Sequence, residues 1–101
     1  MARLGSVNKN NRRRQLAEKS ASRRDKLKEV IYDKNVDFEA RIEAVIKLSE
    51  LPRNSSATRI RNRCEVSGRP RGFHRKFRMS RIAVRELGSL GLIPGLIKSS
   101  W

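Results

Sequence analysis

The residues best suited to chemistry in this sequence form a basic segment from Arg53 to Arg63. Its eleven residues alternate arginine with Asn, Ser, Thr and other small side chains and contain no acidic residue. A guanidinium group binds phosphate oxygens through paired hydrogen bonds, and hydroxyl, amide and backbone N–H groups complete such contacts. A solvated surface loop normally mixes acidic with basic residues. The segment therefore favours binding to RNA over a plain solvated loop.

Two aromatic residues, Phe73 and Phe77, lie in a second basic stretch. Their neighbours are Arg71, His74, Arg75, Lys76 and Arg78. Aromatic rings among cations stack on nucleic-acid bases while the charges hold the backbone. The alternative is that both rings belong to the core of a small hairpin. The sequence favours the core interpretation and leaves base stacking open.

Catalytic chemistry has little support. Cys64 and His74 are the only cysteine and histidine, and a Cys–His dyad is no better supported than an inert buried thiol. The 10 acidic residues show no paired arrangement suited to general acid–base work. We predict no enzyme activity, no catalytic residue and no cofactor. The single cysteine also excludes an intramolecular disulfide and is typical of a reducing compartment.

The overall charge indicates a polyanionic partner. Lys and Arg number 25 against 10 acidic residues, which gives a net charge of +15 and a pI near 11.5. RNA, DNA and an anionic membrane are the candidates. Membrane is the weakest, because no stretch approaches the roughly 18 apolar residues of a spanning helix. The apolar tail Leu90–Ile97 is itself interrupted by glycine and proline.

The length of 101 residues allows one small domain with a thin core. Leu, Ile, Val and Phe number 25, only slightly above the level of about 20% at which charged chains stay disordered. We therefore expect a chain that is partly ordered alone and completed by its partner. Residues 1–17 carry five basic and no acidic residues, as transit peptides do, but they lack an amphipathic face, so a presequence is disfavoured.

Charge is segregated along the chain. Residues 1–30 carry a net charge of +7, residues 31–51 carry −2, and residues 52–81 carry +9. Two basic blocks thus flank a near-neutral block, which we expect to be a folded spacer. The predicted divisions are a basic helical arm (1–35), a central helix (36–52), and an RNA-binding strap with a hairpin–helix module and tail (53–101).

The elements that position these residues are mostly helical. Residues 11–32 are good helix formers with a poor apolar face, so we expect an arm that lies along RNA. Asp37 is a plausible N-cap for a second helix, which Pro52 ends. Its apolar stripe, Phe38, Ile42, Val45 and Ile46, predicts ordinary packing.

Residues 53–58 lack a repeating apolar period and are expected to form an irregular strap. After this strap, a short β unit is expected around the turn 68–72, flanked by Val66 and Phe73. A last helix begins at Ser80, a natural N-cap, and ends at Gly88 or Gly91. Ala83, Leu87 and Leu90 should share one face of it. The predicted fold class is α+β, mostly helical, with an extended tail.

Four short motifs between Pro52 and Glu86 are distinctive: Asn62-Arg63-Cys64, Gly68-Arg69-Pro70-Arg71-Gly72, Arg75-Lys76-Phe77 and Ser80-Arg81. Together they closely resemble the S-fourteen family of small-subunit ribosomal proteins. The ending Ile93-Pro94-Gly95-Leu96, with Lys98 to Trp101, is similar to the longer bacterial or organellar branch. The resemblance implies a place in the head of the small subunit, on the 3′ domain of 16S-type rRNA. It also implies neighbours from the S-three, S-ten and S-nineteen families.

Short members of that family hold zinc with two Cys-x-x-Cys pairs. The matching positions here are Cys64, Ser67, Ser80 and Ala83. Even with His74 added, the two possible donors do not make a closed four-coordinate site. We expect Ala83 to pack beside Cys64 and Ser80 to cap the helix, in a zinc-ribbon-like hairpin and helix without zinc. This resembles the zinc-independent form, and no metal ligand is predicted.

Together with the basic charge, the resemblance implies a structural ribosomal protein that neutralises and braces head RNA and supports its assembly and the decoding region. It also implies residence on a cytoplasmic or, alternatively, an organellar ribosome. The alternatives are a free RNA chaperone or nucleoid-type DNA-binding protein, and a cationic membrane-active protein. The predicted RNA-binding residues are Arg12, Arg13, Arg14, Arg23, Arg24 and Lys28 in the arm, and Arg53, Arg59, Arg61, Arg63, Arg69, Arg71, Arg75, Lys76, Arg78 and Arg81 in the strap and module.

Overall fold

A computed structural model describes residues 2–100, and its secondary structure is mostly helical with one small antiparallel sheet. This confirms the predicted α+β class. Two single-turn 3₁₀ helices, Arg53–Ser55 and Ala57–Arg59, form the strap. The longer elements are α1 (Leu4–Tyr32), α2 (Phe38–Glu50), β1 (Phe73–His74), β2 (Met79–Ser80) and α3 (Arg81–Ser89).

Packing divides the chain into two compact units. One is Lys9–Ile60, and the other combines residues 61–100 with residues 2–8. These two units differ from the divisions predicted from the charge pattern, which were 1–35, 36–52 and 53–101. The arm and the strap belong to the same unit because side chains of α1 bond the segment 52–55.

Helix α1 is 29 residues long and begins at Leu4, earlier than the predicted start at residue 11. The only residues of α1 that are buried are Asn10 and Ala17. The apolar residues Leu16, Leu27 and Ile31 are half-buried. A helix with so little burial depends on intrinsic propensity and on a few polar contacts, since most helical stability in proteins comes from packing.

We expect this helix to be poorly protected in the free protein. The net charge of +7 over residues 1–30 and the small buried area do not offset an ordering entropy of roughly 1–2 kcal/mol per residue. Hydrogen exchange is the measurement: amides of residues 11–30 should exchange fast without RNA and slow by about 100-fold or more on binding. Strong protection of these amides in the free protein would contradict the expectation.

Helix α2 begins after Asp37 and ends at Glu50, just before Pro52, as predicted. Asp37 occupies the N-cap position without a side-chain cap hydrogen bond. The ordinary packing predicted for the stripe at Phe38, Ile42 and Val45 is not found within this chain, because these side chains are exposed. The residue of α2 that is buried is Ala44, on another face of the helix.

In the other unit, a turn at Cys64–Gly68 leads into the two-stranded hairpin. Gly68 has φ +76°, and a Cβ placed there would lie 2.9 Å from Val7 Cγ2. The hairpin pairs Phe73 with Ser80 and His74 with Met79. The predicted β unit around residues 68–72 was therefore placed too early, since the tip of the hairpin is residues 75–78.

Helix α3 follows the hairpin directly. The Ser80 hydroxyl accepts a hydrogen bond from the Ala83 amide at 3.2 Å, which confirms the predicted N-cap. At the other end, the Leu92 amide donates to Leu87 O and the Gly91 amide to Gly88 O, so the helix ends in a Schellman motif with Gly91 in a left-handed conformation. Ala83 is buried and Leu87 half-buried, but Leu90 is exposed. Trp101 lies outside the described residues.

Candidate nucleic-acid interface

In the unit Lys9–Ile60, one asparagine brings two predicted arginines together. Asn54 Oδ1 accepts hydrogen bonds from Arg13 Nε at 3.4 Å and from Arg59 Nη1 at 2.9 Å. Arg13 comes from α1 and Arg59 from the strap, which the charge pattern had placed in separate segments. An amide oxygen is a neutral acceptor, so it orients both guanidinium groups without neutralising them.

A third arginine of this unit is held by the same segment. Arg24 Nε donates to Ser55 Oγ at 3.0 Å, and Arg24 Nη2 donates to Pro52 O at 3.4 Å. Ser55 is only 1% exposed, so this hydroxyl is a fixed acceptor. The strap thus gathers arginines of α1 onto one surface. Sequence reasoning listed the cations but missed the acceptors Pro52, Asn54 and Ser55, whose role depends on tertiary packing.

In the other unit, the turn 68–71 holds a second group of three arginines by its backbone carbonyls. Arg63 Nη1 donates to Gly68 O at 3.0 Å, Arg61 Nε to Pro70 O at 3.1 Å, and Arg69 Nε to Arg71 O at 3.2 Å. We call these three residues the carbonyl-held arginines. A guanidinium group carries its N–H donors in a planar fork that suits phosphate oxygens.

The hairpin tip adds exposed cations to the same unit. Lys76 Nζ lies 6.0 Å from the centroid of the Phe77 ring, and His74 meets that ring edge-on at 6.4 Å. Phe73 and Phe77 are both half-buried. Each ring is therefore partly packed against the protein and partly exposed to solvent. Stacking of these rings on bases stays a prediction. Arg78 lies 4.0 Å from the exposed carboxylate of Glu65, a weak pairing in solvent.

Exposure of the predicted RNA-binding residues is high. Four of the sixteen are half-buried, namely Arg13, Arg24, Arg63 and Arg69, and all of these donate the hydrogen bonds described above. The other twelve are exposed: Arg12, Arg14, Arg23, Lys28, Arg53, Arg59, Arg61, Arg71, Arg75, Lys76, Arg78 and Arg81. Arg81 also lies beside Gly72, which directly precedes β1, and a Cβ on Gly72 would be 3.2 Å from Arg81 Cδ.

The four positions that match a zinc site lie in two similar turns. The Ser67 amide points at Cys64 Sγ at 3.5 Å, and the Ala83 amide at Ser80 Oγ at 3.2 Å. Cys64, Ser80 and Ala83 are each at most 5% exposed. The donor set does not fit zinc, because Cys64 supplies the single thiol and Ala83 has no donor. Among residues 2–100 no group of three or more His, Cys, Asp or Glu side chains is placed to hold a metal ion.

The environment of Cys64 alters its acidity. Burial raises the pKa of the thiol, but hydrogen bonds from the Ser67 side chain and from the backbone of Ser67, Ser80 and Val66 outweigh burial and lower the pKa to about 6. The thiolate is thereby stabilised by the turns that occupy the zinc-like position.

We expect this shift to make stability depend on pH. Because the folded pKa of Cys64 is about 6 and the ordinary value is 9.0, the unfolded state binds more protons between these values, and the free energy of unfolding rises with pH across that window. The contribution is complete above pH 9 and lost as pH falls through 6. Cys64→Ala should flatten the rise in denaturant titrations. Identical pH slopes in the two proteins would contradict the assignment.

Within residues 2–100, no helix combines the length and the apolar character that crossing a bilayer requires. The long helix, α1, is 29 residues and mostly polar.

Known proteins of one ribosomal family match this chain. The family model described as Ribosomal protein S14p/S29e matches residues 47–100. Proteins named small ribosomal subunit protein uS14 are 60% identical in Chelativorans sp. (strain BNC1) and in Bradyrhizobium sp. (strain BTAi1), and 61% identical in Beijerinckia indica. Each alignment covers 101 residues, all of this chain and all of the relative. The chain belongs to the uS14 family of ribosomal proteins.

Proposed function

We propose that this chain is a structural constituent of the small ribosomal subunit that binds 16S-type rRNA in the head, the 3′ domain. Membership of the uS14 family makes it a ribosomal protein of the small subunit and a component of translation. The observation that supports RNA as the ligand is the set of carbonyl-held arginines, whose guanidinium groups are oriented by neutral acceptors.

The physical role follows from this arrangement. Guanidinium groups that are oriented before binding lose fewer rotamers when they meet phosphate. In the unit Lys9–Ile60, Arg13, Arg24 and Arg59 are held by neutral acceptors in the same way once α1 is ordered. Binding then neutralises phosphates of neighbouring RNA segments and releases counterions. In this way the protein braces folded RNA during assembly and supports the decoding region.

The proposal extends to partners and location. The protein neighbours in the head are members of the S-three, S-ten and S-nineteen families, and the ribosome is cytoplasmic, with an organellar ribosome as the alternative. The protein works without zinc, because the side chains at the zinc-like position offer one thiol, two hydroxyl groups and a methyl group that cannot bind a metal. No step of its function requires catalysis.

Sedimentation tests the proposal directly. The chain, tagged at a terminus and expressed in a bacterial host, should co-migrate with small subunits through a high-salt wash. The purified protein should also bind the isolated 3′ domain of the small-subunit rRNA more tightly than duplex DNA of equal length. A pool that stays free of subunits, or equal binding to DNA, would instead support the free chaperone or nucleoid-type protein.

A further inference from the structure

A pocket of about 650 Å³ lies within the unit that combines residues 61–100 with residues 2–8. Its walls come from the segment 63–71 and from the first half of α3. The lining brings together cations, one carboxylate and exposed apolar side chains, namely Arg63, Arg69, Arg71, Glu86, Val66 and Ile82. Pockets that hold one small ligand have volumes of roughly 300–1,000 Å³, so a ligand of the size of a nucleotide fits.

One arginine of this lining has a donor left over. Arg63 Nη1 donates to Gly68 O, but Arg63 Nε is buried and has no hydrogen-bond partner among residues 2–100. Buried donors in proteins are nearly always satisfied, and an unsatisfied one is destabilising. A phosphate oxygen is the acceptor that best suits a guanidinium group. The Arg63 side of the pocket therefore favours the anionic part of a ligand.

The carboxylate of Glu86 is also left without a cation. The ion pairs among residues 2–100 join Lys47 to Glu43 and Arg78 to Glu65, and Glu86 belongs to neither pair although three arginines line the same pocket. A carboxylate repels phosphate, so a surface that bound only the RNA backbone would gain nothing from it. Glu86 instead suits a part of the ligand that donates hydrogen bonds.

A nucleotide combines these chemical features, and its base decides the fit to Glu86. A carboxylate accepts two parallel hydrogen bonds. The Watson–Crick edge of guanine offers two adjacent donors, N1–H and the N2 amino group, whereas adenine and cytosine place an acceptor beside their amino group. The exposed apolar side chains of Val66 and Ile82 suit the face of a base.

We propose that this pocket binds one unstacked guanosine nucleotide of the RNA, with a phosphate on Arg63 and the Watson–Crick edge of the base on Glu86. The inference rests on the proposed function, which supplies the RNA. It adds recognition of a single base to contacts that otherwise neutralise phosphates. Ile82 and Glu86 are one turn apart on α3, so one helix face presents both the apolar contact and the carboxylate.

A pair of matched variants tests the role of the carboxylate. Glu86→Gln and Glu65→Gln each remove one negative charge from an exposed glutamate of the same unit. If the two carboxylates acted only through long-range charge, both variants would bind the isolated 3′ domain RNA as tightly as the unaltered protein or more tightly. We expect this of Glu65→Gln, but we expect Glu86→Gln to bind about tenfold more weakly, because paired hydrogen bonds to the base are lost. Equal affinities of the two variants would overturn the assignment.

Replacement of guanosine by inosine, which lacks the N2 amino group, tests the identity of the base. RNA carrying inosine at random guanosine positions is sorted by binding to the protein. We expect one unpaired position at which inosine weakens binding of the unaltered protein and of Glu65→Gln by about tenfold, and at which it has no effect on Glu86→Gln. The absence of any position that depends on Glu86 in this way would overturn the assignment.

Further measurements separate this inference from its alternatives. Both variants should keep the helical content of the unaltered protein by circular dichroism. Micromolar binding of free GMP to the RNA-free protein, followed through the amide resonances of Ala83 and Glu86, would make the pocket a site for a soluble nucleotide and overturn the assignment to RNA. If the unaltered protein binds the 3′ domain RNA but Glu86→Gln behaves like Glu65→Gln, the inference fails alone. If the unaltered protein does not bind that RNA, the proposed function fails as well.

Discussion

Replacing Arg61 and Arg63 together with alanine is expected to weaken binding to the isolated 3′ domain RNA by about 100-fold at low salt, because two charge-assisted contacts are lost. Both guanidinium groups are held by carbonyls, those of Pro70 and Gly68. If about five cations of residues 52–81 touch phosphates, the log–log slope of affinity against salt is about −4, at roughly 0.7–0.9 per contact. The double variant should reduce that slope by about two.

The matched control is Arg12→Ala with Arg14→Ala, which removes two exposed charges of α1. It should cost less affinity, because the helical arm must also become ordered when it binds. Both variants are measured across a salt series with the same RNA fragment. Equal or larger losses from the α1 pair, or an unchanged slope in the Arg61 and Arg63 variant, would show that residues 52–81 are not the main electrostatic contact.

The second large effect is the creation of a metal site. The triple variant Ser67→Cys, Ser80→Cys and Ala83→Cys should bind one zinc ion, because the chain already turns back on itself at both pairs, with the amides of Ser67 and Ala83 directed at Cys64 Sγ and Ser80 Oγ. Structural zinc supplies on the order of 10 kcal/mol of binding free energy in small domains. Thermal unfolding should therefore shift upward with zinc, and a chelator should reverse the shift.

Elemental analysis of the purified proteins checks this expectation. The unaltered protein should contain no stoichiometric zinc and should unfold identically with and without a chelator. The double variant Ser67→Cys with Ser80→Cys, which retains Ala83, is the control and should bind zinc more weakly with three thiols. A folded triple variant that binds no zinc would mean that the four positions do not converge as the two turns indicate.

Local signals were predicted well from the sequence. Ser80 was predicted as the N-cap of α3, and Gly88 or Gly91 as its stop; Gly91 is the one with a left-handed backbone conformation. Both features are decided within one turn of helix. Pro52 likewise ends α2 through its own geometry. Such features need no knowledge of distant residues, which explains their reliability.

Features that depend on distant residues were predicted less well. The hairpin was placed at the glycine-rich turn 68–72, yet the turn residues serve instead to hold arginines, and the strands pair around residues 75–78. The stripe on α2 has the periodicity of a core face. Periodicity shows that a face is apolar but not which molecule covers it, so packing inside this chain was the wrong expectation.

The candidate site was predicted by residue type but not by arrangement. Counting arginines in the basic blocks identified Arg13, Arg24 and Arg59 without indicating that they share acceptors in residues 52–55. The sequence separation between Arg13 and Asn54 is 41 residues, beyond the reach of any local pattern. Their role in RNA binding stays a prediction until affinities are measured.

Arg78, at the hairpin tip, has a backbone φ of +55°, a conformation that costs a residue with a Cβ about 1 kcal/mol or more relative to glycine. At this position glycine would have the lower conformational energy, whereas arginine places a positive charge at the hairpin tip. A glycine there should make the isolated protein more resistant to unfolding while removing one positive charge from the tip. Optimising this chain for stability alone would thus work against the RNA contacts proposed for its charges, and we expect the more stable protein to be the poorer ribosomal component.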